Sequence, residues 1–101
     1  MTARDGSNID RLIHQPARLV IVAQLAVVDE ADFVFLQNRT GLTPGNMSAH
    51  LAKLIDADYV SAEKSFADNR PRTTYRLTVT GHYAFDEYQR TMRSMLDGAG
   101  N

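Results

Sequence analysis

Between Leu19 and Val28 every residue except Gln24 is apolar. A helix with almost no polar face must be covered on several sides. The β-branched content leaves a strand open, but the length favours a helix. Pro16 suits a first helical turn, where its missing N–H has no partner anyway. The first helix is therefore expected to begin near Asp10 or Pro16 and to run to about Val28. An acidic, turn-like stretch follows at Asp29-Glu30-Ala31-Asp32. Asp32 can cap a short helix over Phe33 to Arg39, with Phe33, Leu36 and Val34 inward.

Gly41 stands where a left-handed residue closes a helix, and Thr43-Pro44 restarts one, Thr as N-cap and Pro at the first helical position. Helix, short glycine-containing turn and helix are thus written between Phe33 and Ala57, the helix-turn-helix layout. In the second of these helices, Pro44 to about Ala57, Met47, Leu51, Leu54 and Ile55 fall on one core-facing stripe. The other side carries Gly45, Asn46, Ala49, Ala52, Lys53 and Asp56, flanked by Ser48 and His50. Small residues with a few hydrogen-bonding tips allow close approach to a surface such as the floor of a DNA major groove. An ordinary solvated face fits the same pattern.

Two runs of period two come next, Val60 to Phe66 and Thr74 to Val79, each with one apolar side. They predict a half-buried hairpin. Its tip is the cluster Ala67-Asp68-Asn69-Arg70-Pro71-Arg72, with Pro71 confined to the tip or an edge. Arg76 is expected to pair with Glu63 across the hairpin. A last helix, Gly81 to Leu96, carries the stripe Phe85, Tyr88, Met92, Met95 and Leu96. So long a stripe suits packing against the first helix or against another chain.

The chain has 101 residues, 44% hydrophobic and 23% charged, with no Cys. This is the size of one domain with a thin core, for which dimerisation is a common remedy. Residues 10–96 are read as that domain and residues 1–9 and 97–101 as flexible ends. The missing Cys excludes disulfides, thiolate-held zinc and thiol nucleophiles. There is no leader pattern and no apolar run of membrane-spanning length, so the cytoplasm is the expected location. The net charge is −1 and the isoelectric point about 6.3, which speaks mildly against a nucleic-acid partner. The distribution answers in part: residues 59–80 carry Lys64, Arg70, Arg72 and Arg76 against Glu63 and Asp68, and are the only basic segment.

The run Thr43-Pro44-Gly45-Asn46-Met47-Ser48-Ala49-His50-Leu51-Ala52-Lys53-Leu54 opens a longer pattern, continued by Tyr59-Val60, Lys64, Phe66, Arg70-Pro71-Arg72-Thr73-Thr74-Tyr75, Leu77-Thr78 and Gly81. Together these resemble the winged-helix DNA-binding domains grouped near the MarR and ArsR regulators. The nearest pattern is that of small stand-alone members, T-x-G-N-L-S-x-H-L-x-x-L followed by P-R-T-x-Y-x-L-T-x-x-G. Asp68-x-Arg70 is similar to the Asp-x-Arg of MarR wings. Two departures stand out. Met47 replaces Leu, and Ile55-Asp56-Ala57-Asp58 replaces the usual Glu-x-Ala-Gly, so the helix exit lacks its Gly; Asp58 can cap there left-handed, a conformation Asp tolerates better than most residues, and the turn geometry stays open.

The resemblance implies an α+β, mainly α, winged helix-turn-helix fold: three helices, a β-hairpin wing and a C-terminal dimerisation helix. It implies a homodimeric, sequence-specific transcriptional regulator of double-stranded DNA with a pseudo-palindromic operator. The recognition helix 43–57 would lie in the major groove and the wing 64–74 on the backbone or minor groove. The DNA-binding residues would be Thr43, Gly45, Asn46, Ser48, Ala49, His50, Lys53, Lys64, Asn69, Arg70, Arg72 and Thr73. His50 is equally open to a place merely flanking the core. The dimer surface would use Leu12, Leu19, Val22, Phe85, Tyr88, Met92, Met95 and Leu96. No cofactor and no membrane partner are expected, and no effector is specified. A winged-helix protein-interaction module is the alternative. A metal-responsive sensor using His82 and Asp86 is weaker, having only two evident ligands. An enzyme is not expected, because no phosphate loop or catalytic triad is written in the chain.

Overall fold

The computed structural model describes residues 8–99. Its elements, in chain order, are α1 (Pro16–Val27), β1 (Ala31–Asp32), α2 (Phe33–Thr40), α3 (Pro44–Asp56), β2 (Val60–Ala67), β3 (Arg70–Leu77) and α4 (Val79–Ala99). The strands form one antiparallel sheet in the order β1-β3-β2. The helix-turn-helix with its hairpin wing is thus present as read from the sequence.

The caps explain where the helices start and stop. Gln15 accepts from the Arg18 N–H ahead of Pro16. Asp32 accepts from the Phe35 N–H at 2.8 Å, and Gly41 closes α2 in the left-handed region at φ 73°. Thr43 accepts from the Asn46 N–H at 3.2 Å and Pro44 occupies the first turn of α3. Asp58 has φ 64°, the left-handed turn expected in place of Gly. The N–H groups of Asp58 and Tyr59 bond the carbonyls of Ile55 and Leu54, which completes a Schellman closure of α3.

Ile21, Val22 and Leu25 of α1, Leu36 of α2, Met47, Leu51 and Leu54 of α3, and Val60 and Leu77 of the hairpin base form one buried cluster. Two helix residues expected to face inward do not. Ile55 lies at the border of the α3 stripe, about 100° from Leu54 around the axis, and is partly open to solvent. Val34 is on the far side of α2 from Leu36 and is exposed.

The hairpin departs most from expectation. The acidic stretch contains a two-residue strand: Ala31 pairs with Tyr75 and Asp32 with Thr74. Two residues are too few to show a period, and the pairing is supplied by β3. The six-residue tip shrinks to Asp68-Asn69, both left-handed at φ 54° and 63°, the geometry of a turn whose twist matches the strands. Pairing then runs one-to-one from Val60–Leu77 to Ala67–Arg70. Pro71 is tolerated because β1 pairs with β3 no further along than Thr74, leaving no second neighbour beyond it. Arg76 does not reach Glu63. It stands opposite Ser61 and pairs with Glu30 beside β1 at 2.6 Å. The wing was expected to be half-buried, but beyond Val60 nearly all of β2 is exposed.

Helix α4 begins two residues before Gly81, because Thr78 is its cap, accepting from the Gly81 N–H at 2.9 Å. It continues through residues 97–99, where the sequence predicts a flexible end. The remaining end residues, 1–7 and 100–101, lie outside the described part. Among the described residues, no helix is long and apolar enough to cross a membrane.

Candidate nucleic-acid interface

The outer face of α3 is held forward by its buried stripe. With Met47, Leu51 and Leu54 in the core, geometry sends Asn46, Ser48, Ala49, Ala52 and Lys53 outward, and all are exposed. Among the described residues, the side chains of Asn46, Ser48 and Lys53 have no hydrogen-bond or ion-pair partner, so their polar tips are free for an outside ligand. Gly45 has nothing within 4 Å of where a Cβ would stand. The protein's own packing therefore does not require glycine there. Thr43 is exposed, its hydroxyl oxygen committed to the cap.

His50 is drawn toward the body of the protein instead. Arg18 of α1 donates from Nη1 to its Nδ1 at 3.2 Å, while Arg18 Nε donates to the Leu12 carbonyl at 2.5 Å. A ring accepting at Nδ1 is neutral, with its proton on Nε2. Burial, then the positive charges of Arg18 and Lys53, hold the His50 pKa below its ordinary value. His50 thus ties α3 to α1. No local sequence signal marks this, because the two residues lie 32 positions apart.

The second component is the wing. Lys64, Asn69, Arg70 and Arg72 are exposed and Thr73 is half-buried opposite Lys64. Arg72 pairs with Asp32 at 3.3 Å, so the α2 N-cap also anchors one wing guanidinium. Among the described residues Arg70 has no ion-pair partner. Phe66, assigned by its alternation to the buried side, is 77% exposed. The alternation is correct, but the wing projects past the core that should cover it.

The surfaces assigned to dimerisation divide. Val22 is 1% exposed within the protomer and belongs to its core. Tyr88 is 6% exposed; its hydroxyl bonds His14 Nδ1 at 2.8 Å and its ring stacks on Phe85. Both are used up inside the chain: Val22 lies in the cluster with α2, α3 and the hairpin base, and His14, from the segment before α1, lies against Tyr88 in the middle of α4. Leu12, Leu19, Phe85, Met92 and Met95 are half-buried and Leu96 is exposed. Nearby, Asp10 accepts from the Leu12 and Ile13 N–H groups and from the Tyr59 hydroxyl. Burial and that bond push the Tyr59 pKa up to about 12.

Residues 17–96 match the family described as the winged helix DNA-binding domain. The chain belongs to that family. An uncharacterized protein of Methanocaldococcus jannaschii is 31% identical to this winged-helix chain over 78 residues, covering 77% of the chain and 85% of that protein. A transcriptional regulator homologue from Pyrococcus horikoshii superposes with a TM-score of 0.83 at 30% identity, covering 89% of each chain. A MarR family transcriptional regulator from Silicibacter pomeroyi superposes at 0.69 with 21% identity, over 83% of this chain and 55% of the regulator, a likeness of fold. The protein is therefore a winged-helix DNA-binding protein with the architecture of MarR-type regulators.

Proposed function

We propose that this protein is a sequence-specific transcriptional regulator that binds duplex DNA as a homodimer. The observation that carries the reading is the outer face of α3. It is small, exposed and unpaired among the described residues, and it stands beside a wing bearing Lys64, Arg70 and Arg72. Helix α3 enters the major groove. Asn46 reads adenine, Lys53 reads guanine, and Ser48 and the N-terminus of α3, with Thr43 and Gly45, lie at phosphates. His50 holds the helix against Arg18 and offers only its outward edge to DNA. Arg70 and Arg72 follow the backbone or enter a narrow minor groove.

Two copies associate through α1 and α4, so that two recognition helices meet half-sites about 34 Å apart. The half-buried residues Leu12, Leu19, Met92 and Met95 and the exposed Leu96 support this pairing, as does the apolar surface at Pro16, Leu19 and Val20. The cytoplasm is the compartment such a role requires. For the sensor alternative, His82 and Asp86 are both exposed on α4, and no third ligand joins them among the described residues.

The test is an electrophoretic mobility shift with DNA from the protein's own promoter region. Arg70→Ala with Arg72→Ala weakens binding across all sequences and flattens the salt dependence; Asn46→Ala alters sequence preference more than bulk affinity. Unchanged binding in both variants refutes this mode of docking.

A further inference from the structure

We infer that Phe66, with Pro71 opposite it, is a DNA-contacting element that enters the minor groove, where it packs against the sugar walls. The inference deepens the proposed function and rests on it. Pairing in the wing is one-to-one over its whole length, so alternate residues share a face. Val60, Ala62, Lys64 and Phe66 of β2, with Leu77, Tyr75, Thr73 and Pro71 of β3, form one side of the ribbon. At its base that side is core: Val60 and Leu77 are buried with Met47, Leu51 and Leu54 of α3. Phe66 therefore belongs to the face of the ribbon whose base packs with α3. At about 3.3 Å per residue it stands about 20 Å beyond the edge of the core. A duplex lying on the outer face of α3 meets this inner side of the wing.

Three observations choose the occupant. Phe66 is 77% exposed and Pro71 is exposed; among the described residues the start of α2, at Phe33 and Val34, approaches Pro71 but leaves Phe66 open. They line a shallow groove of about 360 Å³ with Lys64, Ser65, Arg72 and Thr73. Lys64, Arg70 and Arg72 against Asp68 alone make this half of the ribbon cationic, which fits a polyanion. A protein partner, including a second copy, would need roughly 800 Å² of surface on each side. One Phe and one Pro on a projecting ribbon fall far short of that, since a Phe contributes about 150–250 Å². The minor groove is narrow, with sugar walls that an apolar wedge and flanking guanidiniums can enter together.

The role has a signature that cations lack. An apolar contact releases no counterions, so its loss lowers affinity without changing the salt slope, whereas losing a phosphate-bound Arg reduces the slope by about one. The experiment measures equilibrium binding of the full chain to promoter DNA at four salt concentrations for wild type, Phe66→Ala, Phe66→Leu, Phe66→Lys and Arg70→Ala. Phe66→Ala is expected to bind about tenfold more weakly at every salt with an unchanged slope, an order set by burial of one aromatic side chain. Phe66→Leu retains most of the affinity. Phe66→Lys does not restore it, despite the added charge. Thermal melting of Phe66→Ala stays at the wild-type value, since the side chain supports nothing in the fold.

Wild-type affinity in Phe66→Ala alongside reduced affinity in Arg70→Ala overturns this inference and leaves the proposed function standing. So does a Phe66→Lys variant that binds more tightly, or a Phe66→Ala variant whose only change is in sedimentation. Absence of duplex binding by the wild-type protein overturns both.

Discussion

The first turn of α4 lies against Tyr59 so closely that a Cβ on Gly81 would overlap the Tyr59 carbonyl oxygen. That carbonyl already accepts from the Thr78 N–H at 3.0 Å, and Thr78 in turn caps α4 and bonds the Asp58 carbonyl. The overlap is with backbone, which cannot rotate away. Gly81→Ala is therefore expected to destabilise the protein by about 1–3 kcal/mol, measured by urea denaturation. A wild-type midpoint would show that this corner does not fix where α4 leaves the sheet.

Asp58 turns the chain left-handed at φ 64° to end α3, where a side chain carries a cost that glycine avoids. Asp58→Gly is expected to raise stability by a few tenths to about 1 kcal/mol, and Asp58→Ala to lower it by about 1 kcal/mol. Thermal melts of the two variants give opposite shifts. Shifts of the same sign would count against the Schellman closure as the source.

His50 makes stability depend on pH. Its folded pKa lies below the ordinary 6.5 because burial, Arg18 and Lys53 oppose its charge. The unfolded chain then takes up a proton more readily than the folded one. The contribution of the neutral ring is complete above about pH 6.5 and is lost as pH falls through the folded value. His50→Gln should remove this part of the pH dependence between pH 8 and pH 5, followed by denaturation at fixed salt. Parallel curves for the two proteins would exclude the Arg18 contact as its cause.

Asp32 does two things, capping α2 through the Phe35 N–H and holding Arg72. Asn caps as well as Asp, and a partly exposed ion pair contributes only about 0–1 kcal/mol. Asp32→Asn should thus melt close to wild type while freeing Arg72, with tighter duplex binding and a steeper salt slope. Asp32→Ala should lose about 1 kcal/mol from the missing cap. Equal salt slopes in wild type and Asp32→Asn would mean that Arg72 does not reach phosphate.

Local chemistry wrote the punctuation of this fold. Asp32, Gly41, Thr43-Pro44 and Asp58 each act through their own neighbours, so the boundaries of α2 and α3, the left-handed turns at Gly41 and Asp58 and the inward stripe Met47-Leu51-Leu54 are legible without knowing what packs where. The motif from Thr43 to Leu54 with the Arg-bearing hairpin placed the candidate site in the same way. Relationships between distant segments were not legible, because nothing in either partner's neighbourhood records the other. Arg18 on His50, Asp32 on Arg72, Glu30 on Arg76 and the pairing of Ala31 with Tyr75 all depend on how the chain closes.

Exposure divides along the same line. Period two marks Val60 and Phe66 as residues of one face, which is a property of the strand itself. Which of them is buried depends on how far the core extends beneath the ribbon, and that is decided only when α1 and α3 pack against its base. The same packing turned Val22 inward, because a helix apolar nearly all round does not state which side its own chain will cover, and nothing near Tyr88 in the sequence records that His14 will lie against it.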